Sequence, residues 1–278
     1  MATNDFARFH GRLEIQGRLE LKTPLRVGAG GGDDLGLADI AVVKDALGRP
    51  YIPGSSFKGV LRSYVESILR TIDEGLACLC VTDQENHTCP TTRSRRVREG
   101  QDRSDYDALL QDTFHGDEDA MYLDGTCRVC QVFGSHGLAA KVIIPDLGLS
   151  DEWYGPYQVR HGVSIDRDTE TAAEGRLYTG EAVPAGIHFD CEVIVENGSP
   201  ADQGLVLLGL RAFEQGTVTL GGGSTRGLGQ VKLEITACRE VSANPGDLIE
   251  YLVSGASQAV DEAGRLEKIG HLRQELGV

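Results

Sequence analysis

The sequence predicts an α+β fold in which helices cover one face of an antiparallel β-sheet. Three segments, at residues 13–21, 187–195 and 231–235, alternate apolar and polar side chains, which is typical of strands with one buried face. Residues 56–73 have apolar side chains at the helical period, and residues 205–213 have the composition of a buried helix. Amphipathic strands that alternate with helices along a chain favour this fold class.

The first half of the chain begins with the strand at 13–21, whose leucines and isoleucine alternate with charged and polar residues. A glycine-rich loop at 28–36 follows, and the segment 41–52 has the pattern of a short hairpin with a turn at its centre. The helix at 56–73 starts directly after a proline–glycine pair, which ends the preceding element.

The second half repeats this order. The strand at 187–195 is followed by the helix at 205–213, and residues 218–220 lead into a second glycine loop at 221–229. The strand at 231–235 leaves that loop. The strand–helix–strand order in each half fits a modified ferredoxin-like or RNA-recognition-type sheet.

We interpret residues 1–278 as one domain, because two insertions interrupt the elements of a single core. The first insertion carries most of the cysteines, and the second has the pattern of an extended hairpin that projects from the core. The predicted parts are a core at about 13–75 and 186–240, the cysteine insertion at about 76–135, the hairpin at about 155–185 and a helical tail at 245–278.

The cysteine insertion predicts a structural zinc site. Cys127 and Cys130 are separated by two residues, a spacing that lets two thiolates bind one ion. The insertion has few apolar residues, so a metal would stabilise its fold. The predicted ligands are Cys80, Cys89, Cys127 and Cys130, with Cys78 or His87 as substitutes. Free thiols, or a redox pair at Cys127 and Cys130, remain the alternatives.

Two segments have the features of a phosphate-binding surface. In the first, serines open the helix at 56–73 and two cations four residues apart lie near its positive end. The second is the glycine loop at 221–229, which lacks the lysine of a nucleotide-binding P-loop. The predicted phosphate contacts are Ser55, Ser56, Lys58, Arg62, Gly222, Gly223 and Arg226.

The net charge of −15 is unlike that of a generic nucleic-acid-binding protein. Two interpretations remain open: the chain binds no polyanion, or its cations are concentrated on one face. The N-terminal residues 1–11 have no apolar signal-peptide core, and the longest aliphatic run, 205–210, is too short to cross a bilayer. The sequence therefore predicts a soluble, cytoplasmic protein without a membrane partner.

Four short segments, in this order along the chain, resemble the repeat-associated mysterious protein (RAMP) superfamily. The resemblance extends from about residue 13 to residue 238 and is greatest to the backbone subunit of type III CRISPR effector complexes. The segments are Ile52–Arg62, Cys127–Ser135, Val163–Arg167 and Gly221–Gly229.

The resemblance implies that copies of the chain stack along a CRISPR guide RNA beside other effector subunits. The hairpin at 155–185 corresponds to the family's thumb, which displaces one base at regular intervals, and its Arg160 and Arg167 would contact RNA. The paired target RNA is cleaved beside each displaced base. The family's catalytic aspartate lies in the loop before the second strand, where this chain has Asp39; Asp33 and Asp34 lie earlier in the loop.

A single loop carboxylate suffices for RNA cleavage, because the 2′-hydroxyl of RNA is itself the nucleophile. The carboxylate acts as a base or holds a divalent cation such as Mg²⁺. One alternative is the same scaffold without catalysis. A second alternative is the related guide-processing endoribonuclease, which usually needs a histidine near the first helix. The helix at 56–73 has no histidine, which disfavours this enzyme.

Overall fold

The computed structural model describes residues 6–28, 41–79, 89, 111, 115–116, 125–135, 138–168 and 170–278, without the side chains of 164–165 and 172–178. The strands are β1 (Gly11–Leu21), β2 (Val142–Ile143), β3 (Gln158–Ile165), β4 (Ala172–Ala182), β5 (His188–Glu196), β6 (Val231–Ser242) and β7 (Gln258–Ala259). The helices are α1 (Gly54–Ile72), α2 (Arg128–Phe133), α3 (Pro200–Glu214), α4 (Pro245–Ser254) and α5 (Glu262–Leu276), with one-turn 3₁₀-helices at Glu74–Leu76 and Ser224–Arg226.

The five-stranded sheet is antiparallel, which confirms that part of the predicted fold. Its strand order is β2-β5-β1-β6-β7, so β1 is central and Ile15 lies opposite Val193 on one side and Cys238 on the other. The β1–β6 register shifts between Gln16 and Gly17. Strands β3 and β4 form a separate two-stranded sheet.

Alternation along β1 directs its apolar side chains to one face of the sheet. Leu13, Ile15, Leu19 and Leu21 are at most 2% exposed. Helix α3 lies in the same core, and α1 packs on α3. Their contact includes stacked rings of Phe57 and Phe213, 4.5 Å apart. A Cβ at Gly209 would lie only 2.6 Å from the Leu61 side chain, so a glycine is required for this helix spacing.

Helices α1 and α3 therefore belong to the apolar side of the sheet, as predicted, but α4 departs from that arrangement. Tyr251 of α4 donates a hydrogen bond to Glu14, which points to the polar face of β1. Arg12 of that face in turn donates to the Tyr251 hydroxyl at 3.4 Å. No described helix combines the length and the apolar character needed to cross a membrane.

Helix α3 starts earlier than its apolar run suggests. Ser199 and Asp202 form a capping box, and Pro200 occupies the first turn, where its missing N–H costs nothing. Asp202 is fully buried; its Oδ2 also accepts from Lys141 Nζ at 2.8 Å, and its Oδ1 forms an ion pair with Arg128 Nη1 at 2.7 Å. These buried ion pairs hold the segment around α2 against the core.

Candidate functional site

Four cysteines form a buried cluster beside α2. The sulfur atoms of Cys78, Cys89, Cys127 and Cys130 all lie within 4.8 Å of one another, and none of these residues is in a disulfide. Cys130 is fully buried, and Cys78 and Cys89 are nearly so. Four thiolates around a tetrahedral Zn²⁺, each about 2.3 Å from it, would lie about 3.8 Å apart. The donor set and its spacing therefore fit a structural zinc ion.

Hydrogen bonds within the cluster favour thiolates. The backbone amide of Cys127 donates to Cys89 Sγ at 3.2 Å, and that of Cys78 donates to Cys127 Sγ at 3.4 Å. Hydrogen bonds from the Cys130, Cys78 and Cys89 side chains hold the pKa of Cys127 far below its ordinary value. Only the thiolate form of cysteine binds a metal, so this environment suits a ligand.

The cluster contains three of the four predicted zinc ligands, Cys89, Cys127 and Cys130. Its fourth member is Cys78, which the sequence offered only as a substitute. Cys80 and His87 lie outside the described residues. Spacing alone could not rank Cys78 against Cys80, because the path of the chain after α1 decides which thiol faces the cluster.

The first backbone amide of α1 is engaged within the chain. The Gly54 N–H donates to Asp146 Oδ1 at 2.8 Å. A Cβ at Gly54 would lie 2.0 Å from the Ile144 carbonyl oxygen, so only glycine allows this approach. Ser55 is exposed and Ser56 is half-buried in the same first turn. These two serines remain available at the positive end of the helix.

Lys58 and Arg62 share one face of α1, as predicted, but both side chains donate to groups within the chain. Lys58 Nζ donates to the Val142 carbonyl at 2.8 Å, and burial, followed by the charge of Arg62, lowers the pKa of Lys58. Arg62 Nη2 donates to Cys130 Sγ at 3.1 Å. Arg62, the second of the two predicted cations, is therefore in direct contact with the cysteine cluster.

The second glycine loop wraps around the backbone of Arg26. Left-handed backbone, with φ from 70° to 83°, occurs at Gly221, Gly223, Gly227 and Gly229. A Cβ at Gly221 would lie 2.2 Å from the Arg26 carbonyl oxygen, and the Gly222 N–H donates to that oxygen at 2.8 Å. The Gly222 amide is thus used within the chain. Arg226, at the end of the 3₁₀ turn, is exposed.

The Arg26 side chain, which the sequence analysis missed, lies between this loop and the hairpin. Its Nη2 atom would be 3.5 Å from a Cβ at Gly222, and its Nη1 atom would be 3.2 Å from one at Gly180. Among the described residues, the Arg26 guanidinium has no ion pair or hydrogen bond. A basic residue directly before a glycine-rich loop was the available signal.

Strands β3 and β4 form a hairpin in the segment where the sequence predicted the thumb. Arg160 pairs with Gly180 and is exposed, and Arg167 is exposed in the connecting turn. Val159 and Val163 lie four residues apart on β3 and are 46% and 45% exposed. The hairpin therefore presents both cations and apolar surface to solvent.

The base of the hairpin is joined to the ends of the loop that contains Asp39. Gly28 and Val42 form an antiparallel bridge at those ends. Glu181 Oε2 accepts from the Val42 amide at 3.3 Å and forms an ion pair with Lys44 Nζ at 2.8 Å. Asp33, Asp34 and Asp39 themselves lie outside the described residues. The described chain thus brings the glycine loop, Arg26, the hairpin base and both ends of the predicted catalytic loop together.

These features define a class of protein: an α+β fold whose antiparallel sheet carries a glycine loop, a projecting hairpin and a cluster of four cysteines suited to binding a metal. Comparison with known families assigns that class. The RAMP superfamily matches residues 18–232, and the chain belongs to this superfamily.

Two curated relatives match most of the chain. An archaeal protein from Methanocaldococcus jannaschii, named CRISPR system Cms endoribonuclease Csm3, is 26% identical over 96% of this chain and 93% of its own length. A protein of the same name from Methanothermobacter thermautotrophicus is 26% identical over 84% of this chain and 88% of its own length. A third, from Mycobacterium tuberculosis, is 45% identical, but only over 19% of this chain.

Proposed function

We propose that the chain is a guide-RNA-binding backbone subunit of a type III CRISPR effector complex. The observation that carries this proposal is the meeting of the glycine loop, Arg26 and the hairpin base at the end of the RAMP sheet where β1 ends and β6 begins. Two relatives that match most of the chain are named CRISPR system endoribonucleases, which supports it. Its partners are guide RNA, target RNA, copies or relatives of itself and other effector subunits.

The guide backbone follows the positive start of α1 and the second glycine loop. Ser55 and Ser56 offer hydroxyls, and exposed Arg226 and half-buried Arg26 offer charge along this path. Lys58 is half-buried, and its ammonium group already donates to a backbone carbonyl. The acidic net charge is compatible with this surface. Several of the acids lie on the polar face of the sheet instead, at Glu14, Glu20, Asp190, Glu192 and Glu234.

The hairpin acts as the thumb. Its exposed Arg160 and Arg167 contact phosphates, and its exposed Val159 and Val163 offer the apolar surface that separating stacked bases requires. Because Glu181 joins the hairpin base to Val42 and Lys44, which follow the Asp39 loop, base displacement and cleavage occur near each other.

Target RNA is cleaved by Asp39 together with a divalent cation such as Mg²⁺. The carboxylate assists the attack of the 2′-hydroxyl on the neighbouring phosphate. The relatives' names as endoribonucleases support this activity, and the anchored ends of the loop support a fixed approach to RNA. If the carboxylate has no such role, the chain is a binding scaffold without catalysis.

A structural Zn²⁺ is held by Cys78, Cys89, Cys127 and Cys130. The convergence of four buried sulfurs supports this ligand set. Zinc content of the purified chain, measured by atomic emission, should be about one ion per chain. Replacing Cys78 with serine should lower it, whereas replacing Cys80 with serine should leave it unchanged. Equal zinc content in wild type and Cys78→Ser would contradict the ligand set.

Three single variants test the cleavage proposal on one target-RNA gel. Asp39→Ala should bind guide and target as wild type does yet cut at least about a hundredfold more slowly. Asp33→Ala and Asp34→Ala are matched controls from the same loop and should retain most of the activity. Wild-type cleavage by Asp39→Ala would remove this residue from the mechanism. Guide binding without cleavage by the wild-type chain, at saturating Mg²⁺, would favour the scaffold.

A further inference from the structure

We propose that Arg62 is a positioning residue of the metal centre, through which helix α1 is coupled to the cysteine cluster, and that it is not a contact to RNA. The proposal rests on the zinc site proposed above and assigns Arg62 a role different from the one that the sequence predicts.

All three nitrogens of the Arg62 guanidinium donate to groups within the chain. Nη2 donates to Cys130 Sγ at 3.1 Å, and Nη1 donates to the Gly134 carbonyl at 2.9 Å. Nε donates to Glu66 Oε1, one turn further along α1, at 2.7 Å. The Arg62 side chain is only 22% exposed. A guanidinium whose three nitrogens all donate within the chain has few N–H groups left to bind a phosphate.

Of the two contacts beyond α1, one lies in the short helix α2 and the other at the residue directly after it. Cys130 is in its middle, and Gly134 is the residue at which it ends, with φ of 87°. Cys127 directly precedes α2 and Cys130 lies within it, so this short segment supplies two of the four sulfurs. Arg62 therefore holds both the direction of one thiol and the end of the helix that presents it.

The chemistry of a zinc–thiolate centre gives this contact its importance. Four thiolates around one Zn²⁺ keep a net negative charge in a buried place, and a guanidinium beside a sulfur offsets part of it. Hydrogen bonds from groups outside the ligand set orient the ligands, and their loss typically lowers metal affinity by about 10- to 100-fold.

A second arginine of α1 shows that this contact belongs to a continuous helix face. Arg70 Nη1 donates to the Cys78 carbonyl at 3.0 Å. Arg62, Glu66 and Arg70 follow one another at helical spacing. The C-terminal part of this face therefore rests against the metal cluster, while the serines of the first turn lie two turns before Arg62 and remain near the proposed guide.

Zinc release from the full-length chain tests the role of Arg62. Wild type, Arg62→Met and Arg62→Lys are loaded with Zn²⁺ and mixed with excess chelator, and the freed ion is followed with a chromogenic dye. Arg62→Met should release zinc at least about tenfold faster than wild type. Arg62→Lys should give an intermediate rate, because it keeps the charge but loses the planar fork. Arg211→Met, at an arginine that pairs only with carboxylates in the described contacts, should release zinc as wild type does.

Guide-RNA affinity at saturating Zn²⁺ separates the two roles of Arg62. Arg62→Met should bind RNA within about twofold of wild type, with an unchanged salt dependence. Weaker RNA binding together with a wild-type zinc release rate would overturn the proposal and restore Arg62 as a phosphate contact. If Arg62→Met does not fold, a wild-type release rate in Arg62→Lys overturns it equally. A wild-type chain that binds no zinc would instead refute the metal centre itself.

Discussion

At the scale of single residues, the candidate site depends on side chains whose surroundings the chain creates far from them in sequence. Arg26 is an example, because residues 222 and 180 are glycines and leave room for its guanidinium. With no carboxylate partner among the described residues, its charge is available to a polyanion. Arg62, four residues from Lys58 on the same helix face, differs from Arg26 because its guanidinium already donates to three groups within the chain.

Arg26 should therefore contribute to guide binding. Arg26→Gln should weaken guide affinity by about tenfold and reduce the salt dependence of binding by about one phosphate contact, for all guide sequences alike. Filter binding at several salt concentrations measures both. Arg18→Gln is the matched control, because Arg18 is already paired with Asp151 at 2.8 Å. Equal losses in the two variants would contradict a specific role for Arg26.

Cys191 provides a residue-scale test of pH dependence. It lies on the buried face of β5, and burial raises the pKa of its thiol to about 12, whereas an unfolded cysteine titrates near pH 8.5. Between these values the unfolded chain loses a proton that the folded chain keeps. The stabilisation is therefore complete below about pH 8.5 and is lost as the pH rises toward 12.

The free energy of unfolding, from urea titrations at about pH 8 to about pH 10.5, should fall more steeply in wild type than in Cys191→Ala. Comparing the slopes of unfolding free energy against pH removes the pH-independent stability that Cys191→Ala loses with its smaller side chain. Parallel slopes would show that ionisation of this thiol is not linked to folding.

At the scale of elements, the hairpin β3–β4 can be removed without cutting the five-stranded sheet. Val159 and Glu181 are ladder partners at its base, so residues 160–180 can be replaced by Asn-Gly, which closes a two-residue turn. The retained Glu181 keeps its contacts to Lys44 and Val42.

This deletion should leave the circular dichroism spectrum of the core and the zinc content unchanged, and it should abolish the regular spacing of cuts on target RNA. A full-length chain with Val159 and Val163 replaced by threonine separates apolar wedging from charge, because it keeps both arginines. Regular cuts after the deletion would exclude the hairpin as the thumb.

At the scale of the whole molecule, Asp202 joins distant parts of the chain. It caps α3, and it pairs in the buried interior with Lys141 and Arg128, while Arg128 also contacts Glu275 of α5 at 3.0 Å. The segment around α2, helix α3 and helix α5 therefore share one network of ion pairs. Removing one partner from a buried ion pair leaves the other charge uncompensated.

Asp202→Asn, which preserves volume, should lower the free energy of unfolding by about 3 kcal/mol or more in urea titrations. Asp151→Asn should cost at most about 1 kcal/mol, because the Asp151 side chain is 51% exposed and its pair with Arg18 is screened by water. Similar losses in the two variants would mean that the buried network does not join these parts energetically.

Much of the fold was predictable because its signals are local. The alternation along β1 and β5 and the helical period of α1 are properties of neighbouring residues, and they predicted strands and a helix within a few residues of their observed ends. The early start of α3 was less visible, because its signals, Ser199 and Pro200, precede the apolar run.

The sequence by itself determined the α+β class, the hairpin segment and the identity of three cysteines that converge, since each of these follows from pattern or spacing along the chain. Only the tertiary structure decided that Cys78 completes the cluster, that Arg62 turns toward Cys130 and that Arg26 lies beside the glycine loop. The physical reason is distance along the chain: these contacts join residues dozens to hundreds of positions apart. Their partners are fixed by how whole elements pack, which no local pattern records.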